Sequence, residues 1–227
     1  MARDAGDGSL HALRVALALV LAWMSAAALA GAQREEPLVD AVRTALRAAL
    51  IQQAPPEPVH ADAVAEQHYM RWLQHTEQQL QQFLKRRDAQ PHELSLPTMR
   101  RELLQTVWYE SQRAGLDPAL VLGVMQVESG FRKFAISSAG ARGYMQVMPF
   151  WTRLLADGDA AVLFQTQANV RFGCVILRHY LQIEGGDLTL ALGRYNGSRG
   201  QLAYPQAVLA AQRAWRTEVL GERISPR

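Results

Sequence analysis

The sequence is poor in cysteine and in metal-binding patterns, and each shortage excludes a class of protein. Cys174 is the one cysteine among 227 residues, so the chain cannot form an internal disulfide. No Cys-x-x-Cys or His-Glu-x-x-His spacing occurs, and the six histidines are too scattered to place two ligands on one helical face. We therefore predict no metal, no other cofactor, and a core position for the Cys174 thiol.

Period-two alternation is also lacking from Pro97 onward, where helical patterns are divided by glycine and proline. The predicted fold class is therefore all-α. Two helices are predicted before this point, over residues 37–53 and 61–85, separated by a proline-rich breaker at 54–58. The second helix carries an apolar face that we expect to pack as a brace on the neighbouring domain: Tyr69, Trp72, Leu73, Leu80, Phe83 and Leu84.

Charged residues are missing from residues 15–32, which follow Arg14 and consist mostly of Ala, Leu and Val. This 18-residue run predicts an export signal, and the small residues at its end favour cleavage after Ala30 or Ala32. An uncleaved membrane anchor is the alternative, because such a run is near the lower limit for crossing a hydrocarbon core of roughly 30 Å. In both cases we expect the rest of the chain in the periplasm or cell envelope.

The chain lacks a basic stripe, although its formal net charge is +3. Residues 98–216 contain 13 Lys or Arg and 8 Asp or Glu, whereas residues 33–97 contain 7 and 9. A basic C-terminal half can attract an acidic polymer, anionic lipid or nucleic acid, and an ordinary solvated surface explains the same excess. The export segment and the missing stripe argue against nucleic acid as a partner.

Glycine and proline also predict helix boundaries after Pro97. A helix over 98–114 should end at Gly115, and another should begin after Asp117, which is suited to accept a hydrogen bond as N-cap and precedes a proline. We expect this second helix to run to about Ser129, with Gly130 as its left-handed stop.

One carboxyl, Glu128, lies on the apolar face of this predicted helix, seven residues after Val121 and four after Val124. Desolvation disfavours the charged form of a carboxyl, and so does the negative end of the helix dipole. Both effects predict a raised pKa, and a carboxyl protonated near neutral pH suits glycosidic bond cleavage. The alternative is that Glu128 is partly exposed or paired with an arginine such as Arg132.

Three ordered motifs accompany this carboxyl. They are Glu128-Ser129-Gly130-Phe131, the run Gly-Ala-Arg-Gly-Tyr-Met-Gln-Val-Met-Pro at 140–149, and Tyr195-Asn196-Gly197. Over roughly residues 98–215 the chain resembles the lytic transglycosylase family, of the soluble lytic transglycosylase type. The resemblance implies a lysozyme-like helical catalytic domain preceded by an accessory helical segment. It divides the chain into a signal peptide or anchor at 1–32, the accessory segment at 33–97, the catalytic domain at 98–216 and a tail at 217–227.

The resemblance implies that Glu128 is the catalytic acid, and it implies substrate-binding roles for Ser137, Met145, Gln146, Tyr195 and Asn196. Side-chain amides donate and accept together, so Gln146 and Asn196 suit acetamido and hydroxyl groups. Structural roles in turns and packing are predicted for Gly140, Gly143 and Met148, and the role of Ser129 stays open. The chain departs from the family pattern at Tyr144 and around the third motif, at Gly193-Arg194 and 197–200, positions that concern the groove wall and not the acid.

Several aromatic and basic residues near the motifs have two readings. Trp151, Tyr180, Tyr204 and Trp215 could stack on sugar rings, but we expect them in the core. Arg194 and Arg199 could meet carboxylates of stem peptides or lie on a solvated surface.

The implied partner is the peptidoglycan glycan strand. Protonated Glu128 would give its proton to the oxygen joining N-acetylmuramic acid to N-acetylglucosamine, then take the proton of the 6-hydroxyl as a 1,6-anhydro ring closes. Ordinary glycosidases use two carboxyls, and residues 129–156 contain no other Asp or Glu. Four carboxyls follow at Asp157, Asp159, Glu184 and Asp187. The alternatives are therefore a hydrolytic muramidase and a non-catalytic wall-binding envelope protein.

Overall fold

The computed structural model describes residues 60–87, 93–153 and 159–216, together with Gln33, Thr44 and Pro55. These residues contain seven α-helices: α1 (Ala63–Arg86), α2 (Pro97–Ala114), α3 (Pro118–Glu128), α4 (Phe150–Arg153), α5 (Thr166–Ile183), α6 (Leu188–Asn196) and α7 (Ala203–Trp215). Two 3-10 turns, Glu93–Ser95 and Ala160–Phe164, complete them. Within these ranges β-pairing is limited to two isolated bridges, Ile136 with Arg142 and Arg142 with Val147. The all-α prediction is confirmed for this part of the chain.

Some predicted segments lie outside the described residues. They are the signal or anchor at 15–32, the C-terminal tail at 217–227, and, apart from Thr44, the helix at 37–53. Across the ranges that the structure does describe, no helix is long and apolar enough to cross a membrane.

The helix boundaries predicted from aspartate and glycine are confirmed. α2 ends at Gly115, whose φ of 63° is left-handed. The side chain of Asp117 accepts a hydrogen bond of 2.9 Å from the amide of Ala119 and so caps α3. Gly130, with a φ of 59°, follows the last turn of α3. These local signals place Glu128 at the C-terminal end of a helix.

α3 is the central helix and is buried almost all round, as expected for a helix with apolar residues on every side. Val121, Leu122, Val124 and Met125 are fully buried. α3 packs closely along α7, and Gly123 makes this approach possible, since a β-carbon there would lie 2.9 Å from backbone atoms of α7. The carboxyl at the end of α3 is therefore carried by one of the most constrained elements of the fold.

α1 covers the domain as the predicted brace. Tyr69, Trp72, Leu73 and Leu80 are buried, and Phe83 and Leu84 pack against the same core. Ring centroids of Trp72 and Trp108, on α2, lie 4.8 Å apart. The prediction that this face packs on the domain that follows is confirmed.

A buried ion pair joins α2 to α5. Nη2 of Arg171 lies 2.7 Å from Oε1 of Glu110, and both side chains are almost completely inaccessible to solvent. Gln167 donates a further hydrogen bond to the same carboxylate. Cys174, one helical turn after Arg171, is fully buried, which confirms its predicted core position. A pair buried this deeply costs desolvation energy and is stable only while both partners are present.

Candidate functional site

Glu128 and Tyr204 form the centre of the site. The hydroxyl of Tyr204, in the first turn of α7, donates a hydrogen bond of 2.6 Å to Oε1 of Glu128. The Glu128 side chain is 7% exposed, and its Oε2 is buried without a hydrogen-bond partner among the described residues. The two carboxyl oxygens are therefore unequal, one held by a phenol and the other unbonded.

Burial raises the pKa of Glu128 to about 8, and the hydrogen bond from Tyr204 opposes this rise. The direction and the desolvation cause agree with the sequence prediction. Pairing with Arg132 does not occur; Arg132 is exposed and its Nε donates to the carbonyl of Ser129 at 2.8 Å. Glu128 is thus a buried acid whose neutral form dominates at neutral pH.

The second motif folds into a tight hairpin that uses its own polar groups. The amide of Ser137 donates to the carbonyl of Ala141, and the Ser137 hydroxyl accepts from the Ala141 amide, both at 3.0 Å. Nε2 of Gln146 donates to the carbonyls of Gly143, at 2.9 Å, and Ala135, at 3.2 Å. Ser137 is half-buried and Gln146 buried. Both predicted binding residues therefore also shape the hairpin.

Glycines permit the turns of this hairpin, as predicted. Gly140 and Gly143 have φ values of 87° and 76°. Gln146 adopts a φ of 49°, a left-handed conformation that a residue with a β-carbon rarely takes without support. Its two side-chain hydrogen bonds supply that support.

Met145 links the hairpin to the third motif. Its carbonyl accepts a hydrogen bond of 2.8 Å from the Tyr195 hydroxyl, and its amide donates at 2.8 Å to Oδ1 of Asn169. The Met145 side chain is fully buried and fits against the bare backbone of Gly173. The charge of Glu128 contributes to raising the pKa of Tyr195, after desolvation as the main cause, so the phenol lies near the carboxyl.

Ser129 joins the first motif to the second. Its hydroxyl oxygen lies 2.7 Å from the carbonyl oxygen of Tyr144 and 3.2 Å from that of Met125. Asn196, in the third motif, is the last residue of α6 and is buried beside Gly197, whose φ is 85°. The structure therefore brings together the three motifs that are separated in sequence.

Arg194 and Arg199 both contact Glu184. The sequence predicted either a contact with stem-peptide carboxylates or a solvated surface for them, and not this ion pair. Nε of each arginine donates to Oε1 of Glu184 at 2.7 Å, and Nη2 of Arg199 reaches Oε2 at 2.9 Å. The hydrogen bond from Arg199, with further help from Arg194, lowers the pKa of Glu184 to about 2. The Glu184 carboxylate therefore joins the end of α6, at Arg194, to the loop that follows the third motif, at Arg199.

The other carboxyls that follow the hairpin in sequence have local roles. Asp159 accepts from the amide of Ala161 at 2.8 Å, and Asp187 accepts from the amide of Leu190 at 2.9 Å. Asp157 lies outside the described residues. Asp159, Glu184 and Asp187 are therefore each held by partners other than Glu128. No three His, Cys, Asp or Glu side chains are grouped to hold a metal ion in the ranges described.

Gln33 contacts the site from the far N-terminal part of the chain. Its Oε1 accepts a hydrogen bond of 2.7 Å from Nε1 of Trp151 and lies 3.4 Å from the amide nitrogen of Met148. A carboxamide is thus held by an indole N–H and a main-chain N–H.

Sequence reasoning missed three contributors to the site. The sequence predicts a core position for Tyr204, which is indeed buried, but nothing in the sequence links it to a carboxyl 76 positions away. Asn169 holds the hairpin through the carbonyls of Arg142 and Leu163 as well as the Met145 amide. A polar residue on the apolar face of α5 is the one signal that could have singled it out. Gln33 carries no sequence signal.

The segment that carries this site matches the family described as Transglycosylase SLT domain over residues 105–214. The chain is 38% identical over 85 residues to membrane-bound lytic murein transglycosylase C of Actinobacillus pleuropneumoniae serotype 5b (strain L20), covering 34% of this chain and 23% of that protein. It is 35% identical over 97 residues to the transglycosylase of Enterobacteria phage PRD1, covering 43% of this chain and 35% of the phage protein.

The chain therefore spans about a quarter to a third of the length of these two relatives. Among solved structures, it is similar to an inactive mutant of lytic transglycosylase Slt from Pseudomonas aeruginosa, at 21% identity and a TM-score of 0.39, over 48% of this chain and 21% of that one.

Proposed function

Because residues 105–214 of this chain match the family described as Transglycosylase SLT domain, we propose that the protein is a peptidoglycan lytic transglycosylase. It cleaves the bond between N-acetylmuramic acid and N-acetylglucosamine and leaves 1,6-anhydromuramic acid ends. One observation carries the proposal: Glu128 is a buried carboxyl whose pKa is raised to about 8 and whose Oε2 has no hydrogen-bond partner among the described residues.

The hydrogen bond from Tyr204 determines which oxygen acts as the acid. Since the phenol donates to Oε1, the proton of the neutral carboxyl resides on Oε2. Oε2 gives this proton to the glycosidic oxygen as the bond between that oxygen and the muramic C1 breaks. The departing N-acetylglucosamine leaves with a neutral 4-hydroxyl, and positive charge develops at C1.

The same carboxyl then acts as the base. Glu128 is now a carboxylate, stabilised by the Tyr204 hydroxyl, and it takes the proton of the muramic 6-hydroxyl as O6 bonds to C1. Ring closure returns Glu128 to its neutral form, so no water is consumed. One carboxyl suffices for the whole cycle.

Hydrolysis is the competing reaction, and the contacts of the described carboxyls that follow the hairpin argue against it. A second carboxyl would have to hold a water or attack C1. Asp159, Glu184 and Asp187 are each engaged in local hydrogen bonds or ion pairs. These contacts favour intramolecular ring closure.

The contacts made by the Gln33 side chain support an acetamido sugar as the substrate class. A carboxamide oxygen and an acetamido oxygen have the same chemistry, and the Trp151 indole and the Met148 amide already hold such an oxygen. Around this point, Ser137, Met145, Gln146, Tyr195 and Asn196 bind the strand or shape the wall of the groove. The buried positions of Met145 and Gln146 favour the second role for these two residues.

The proposed location is the periplasm or cell envelope, where the substrate lies. The apolar segment at 15–32 would direct export, through either a cleaved signal or an anchor in the inner membrane. Glycan strands are the proposed partner.

Digestion of purified sacculi tests the proposal. The parent chain should release muropeptides with 1,6-anhydro ends, identified by mass spectrometry, and Glu128→Gln should release almost none. Glu77→Gln is the control, because half-buried Glu77 pairs with Arg100 and Arg101 between α1 and α2, and its change should leave the products of the folded chain unaltered. Reducing muramic acid ends would identify a hydrolase, and full release by Glu128→Gln would remove Glu128 from the mechanism.

A further inference from the structure

We infer that the C-terminal turn of α1 belongs to the catalytic apparatus, with Phe83 and Arg87 positioning the backbone that follows Glu128. The inference rests on the proposed function, because it takes Glu128 as the acid. Phe83 and Arg87 are positioning residues that act through residues 129–131. Both precede the segment 105–214 that matches the transglycosylase SLT domain, so the site would be completed from outside that domain.

The backbone after Glu128 is held in an unfavourable conformation. Gly130 and Phe131 are both left-handed, with φ values of 59° and 64°. Glycine tolerates this region, but Phe131 has a β-carbon that crowds the backbone there. Such a residue keeps its conformation only where the surrounding structure holds it. The direction in which the chain leaves Glu128 therefore depends on what surrounds the Phe131 ring.

Two aromatic side chains from distant elements hold that ring. Phe131 is fully buried and meets Phe83 of α1 edge-on, with centroids 5.4 Å apart, and Trp215 of α7 at 5.3 Å. Nε1 of Trp215 also donates to Oε1 of Gln126 at 2.8 Å, two residues before Glu128. Trp215 thus fixes the helix before the carboxyl, and Phe83 supplies the other wall of the Phe131 site.

Arg87 presses on the same loop from the end of α1. Its guanidinium lies 5.2 Å from the centroid of the Phe83 ring, and it sits so close to Gly130 that a methyl group there would overlap it. Arg87 is an exposed residue, and partial desolvation of its guanidinium, with a smaller contribution from Arg132, lowers its pKa. Arg132 reaches the other side of the loop through the Ser129 carbonyl. Two cations therefore lie at the C-terminal end of α3, where they complement the helix dipole.

Sacculus digestion by point variants of the full chain provides the test. Phe83→Ala should lower kcat at least tenfold with KM changed less than twofold, because the groove stays intact while the acid is misplaced. Trp72→Ala is the matched control: Trp72 is also an aromatic residue of α1, but it packs on Trp108, away from the loop. Its kcat should stay within twofold of the parent. Both are assayed below their melting temperatures, where circular dichroism shows them fully folded.

Two further variants keep the test decisive if Phe83→Ala does not fold. Phe83→Leu retains an apolar wall and should recover most of the lost kcat, and Arg87→Met should lower kcat with KM unchanged. Equal kcat values for Phe83→Ala and Trp72→Ala, or a parental kcat in Arg87→Met if Phe83→Ala does not fold, would overturn the inference. The proposed function is judged separately, since it fails if the parent chain leaves reducing muramic acid ends or if Glu128→Gln remains active.

Discussion

At the scale of single residues, the chemistry of the site depends on the unequal surroundings of the two Glu128 oxygens. Burial favours the neutral acid, whereas the Tyr204 hydroxyl favours the carboxylate. An acid that must give and then recover a proton needs both influences. The balance between them determines the pH range in which the site works.

Replacing Tyr204 should move that range. Tyr204→Phe removes the hydrogen bond that stabilises the carboxylate, so the pKa of Glu128 should rise further above about 8. Because the protonated acid is active, the alkaline limb of kcat/KM should shift to higher pH, and the maximal rate should fall about tenfold as the carboxylate formed in the first step loses its donor. The profile is obtained by measuring kcat and kcat/KM on sacculi across pH 5–10, with Tyr109→Phe as the control variant. A profile identical to that of the parent would show that the phenol does not act on Glu128.

Burial of Glu128 also has a consequence for stability. The pKa of Glu128 has its ordinary value of 4.5 in the unfolded chain and rises to about 8 in the folded chain. Between these pH values the folded chain therefore keeps a proton that the unfolded chain has lost. The free energy of unfolding should therefore fall as pH rises from about 4.5 to 8, by at most about 5 kcal/mol, and then level off.

Glu128→Gln removes this titration and keeps a polar group beside Tyr204. Its stability relative to the parent should increase between pH 5 and pH 8, so the two urea midpoints should separate as pH rises. Parallel midpoints at pH 5, 6.5 and 8 would mean that the folded carboxyl titrates normally.

At the scale of elements, the site is held by the contact between α3 and α7. Gly123 allows the two backbones to approach, which brings Tyr204 within reach of Glu128. A glycine inside a helix usually lowers stability by about 1 kcal/mol relative to alanine. Its presence here indicates that the close approach outweighs that loss.

Gly123→Ala should therefore destabilise the protein despite the better helix propensity of alanine. The added carbon would lie 2.9 Å from the Val208 carbonyl oxygen and the Gln212 amide nitrogen, and backbone atoms cannot move aside easily. We expect a loss of about 1–3 kcal/mol in denaturant unfolding. Ala207→Gly, at an exposed site on α7, should lose about 1 kcal/mol through propensity alone. A gain in stability from Gly123→Ala would show that the helices are not in tight contact.

At the scale of the whole molecule, α1 adds a layer of structure to the segment that matches the family. That match begins only at residue 105, after α1 has ended. Its buried aromatic and aliphatic side chains extend one continuous core from α1 through α2 to α3 and α7. Loss of α1 would leave the apolar surface of α2, including Trp108, open to water.

A chain that begins at residue 93 should consequently be much less stable than one that begins at residue 60. Each fully buried aliphatic or aromatic side chain contributes about 2 kcal/mol, so loss of Tyr69, Trp72, Leu73 and Leu80 should lower Tm by roughly 10 °C or more. Calorimetry gives Tm, and a fluorescent apolar dye should bind the shorter chain. Equal Tm values would mean that α1 packs too weakly to matter.

The sequence alone determined the features that depend on neighbours a few positions apart. The caps at Asp117 and Gly115, the left-handed stop at Gly130 and the apolar stripe of α1 follow from local hydrogen bonding and helical periodicity. The raised pKa of Glu128 followed in the same way, since a carboxyl on an apolar helix face is desolvated wherever that face packs.

Only the tertiary structure decided which groups meet the carboxyl. Tyr204 reaches Glu128 across 76 positions, and Phe83 reaches Phe131 from a helix before the domain. For Arg194 and Arg199 the sequence allowed either a contact with substrate or a solvated surface, and in the structure both form ion pairs with Glu184. Contacts of this kind depend on how helices pack and cross, which residue spacing within one helix does not specify.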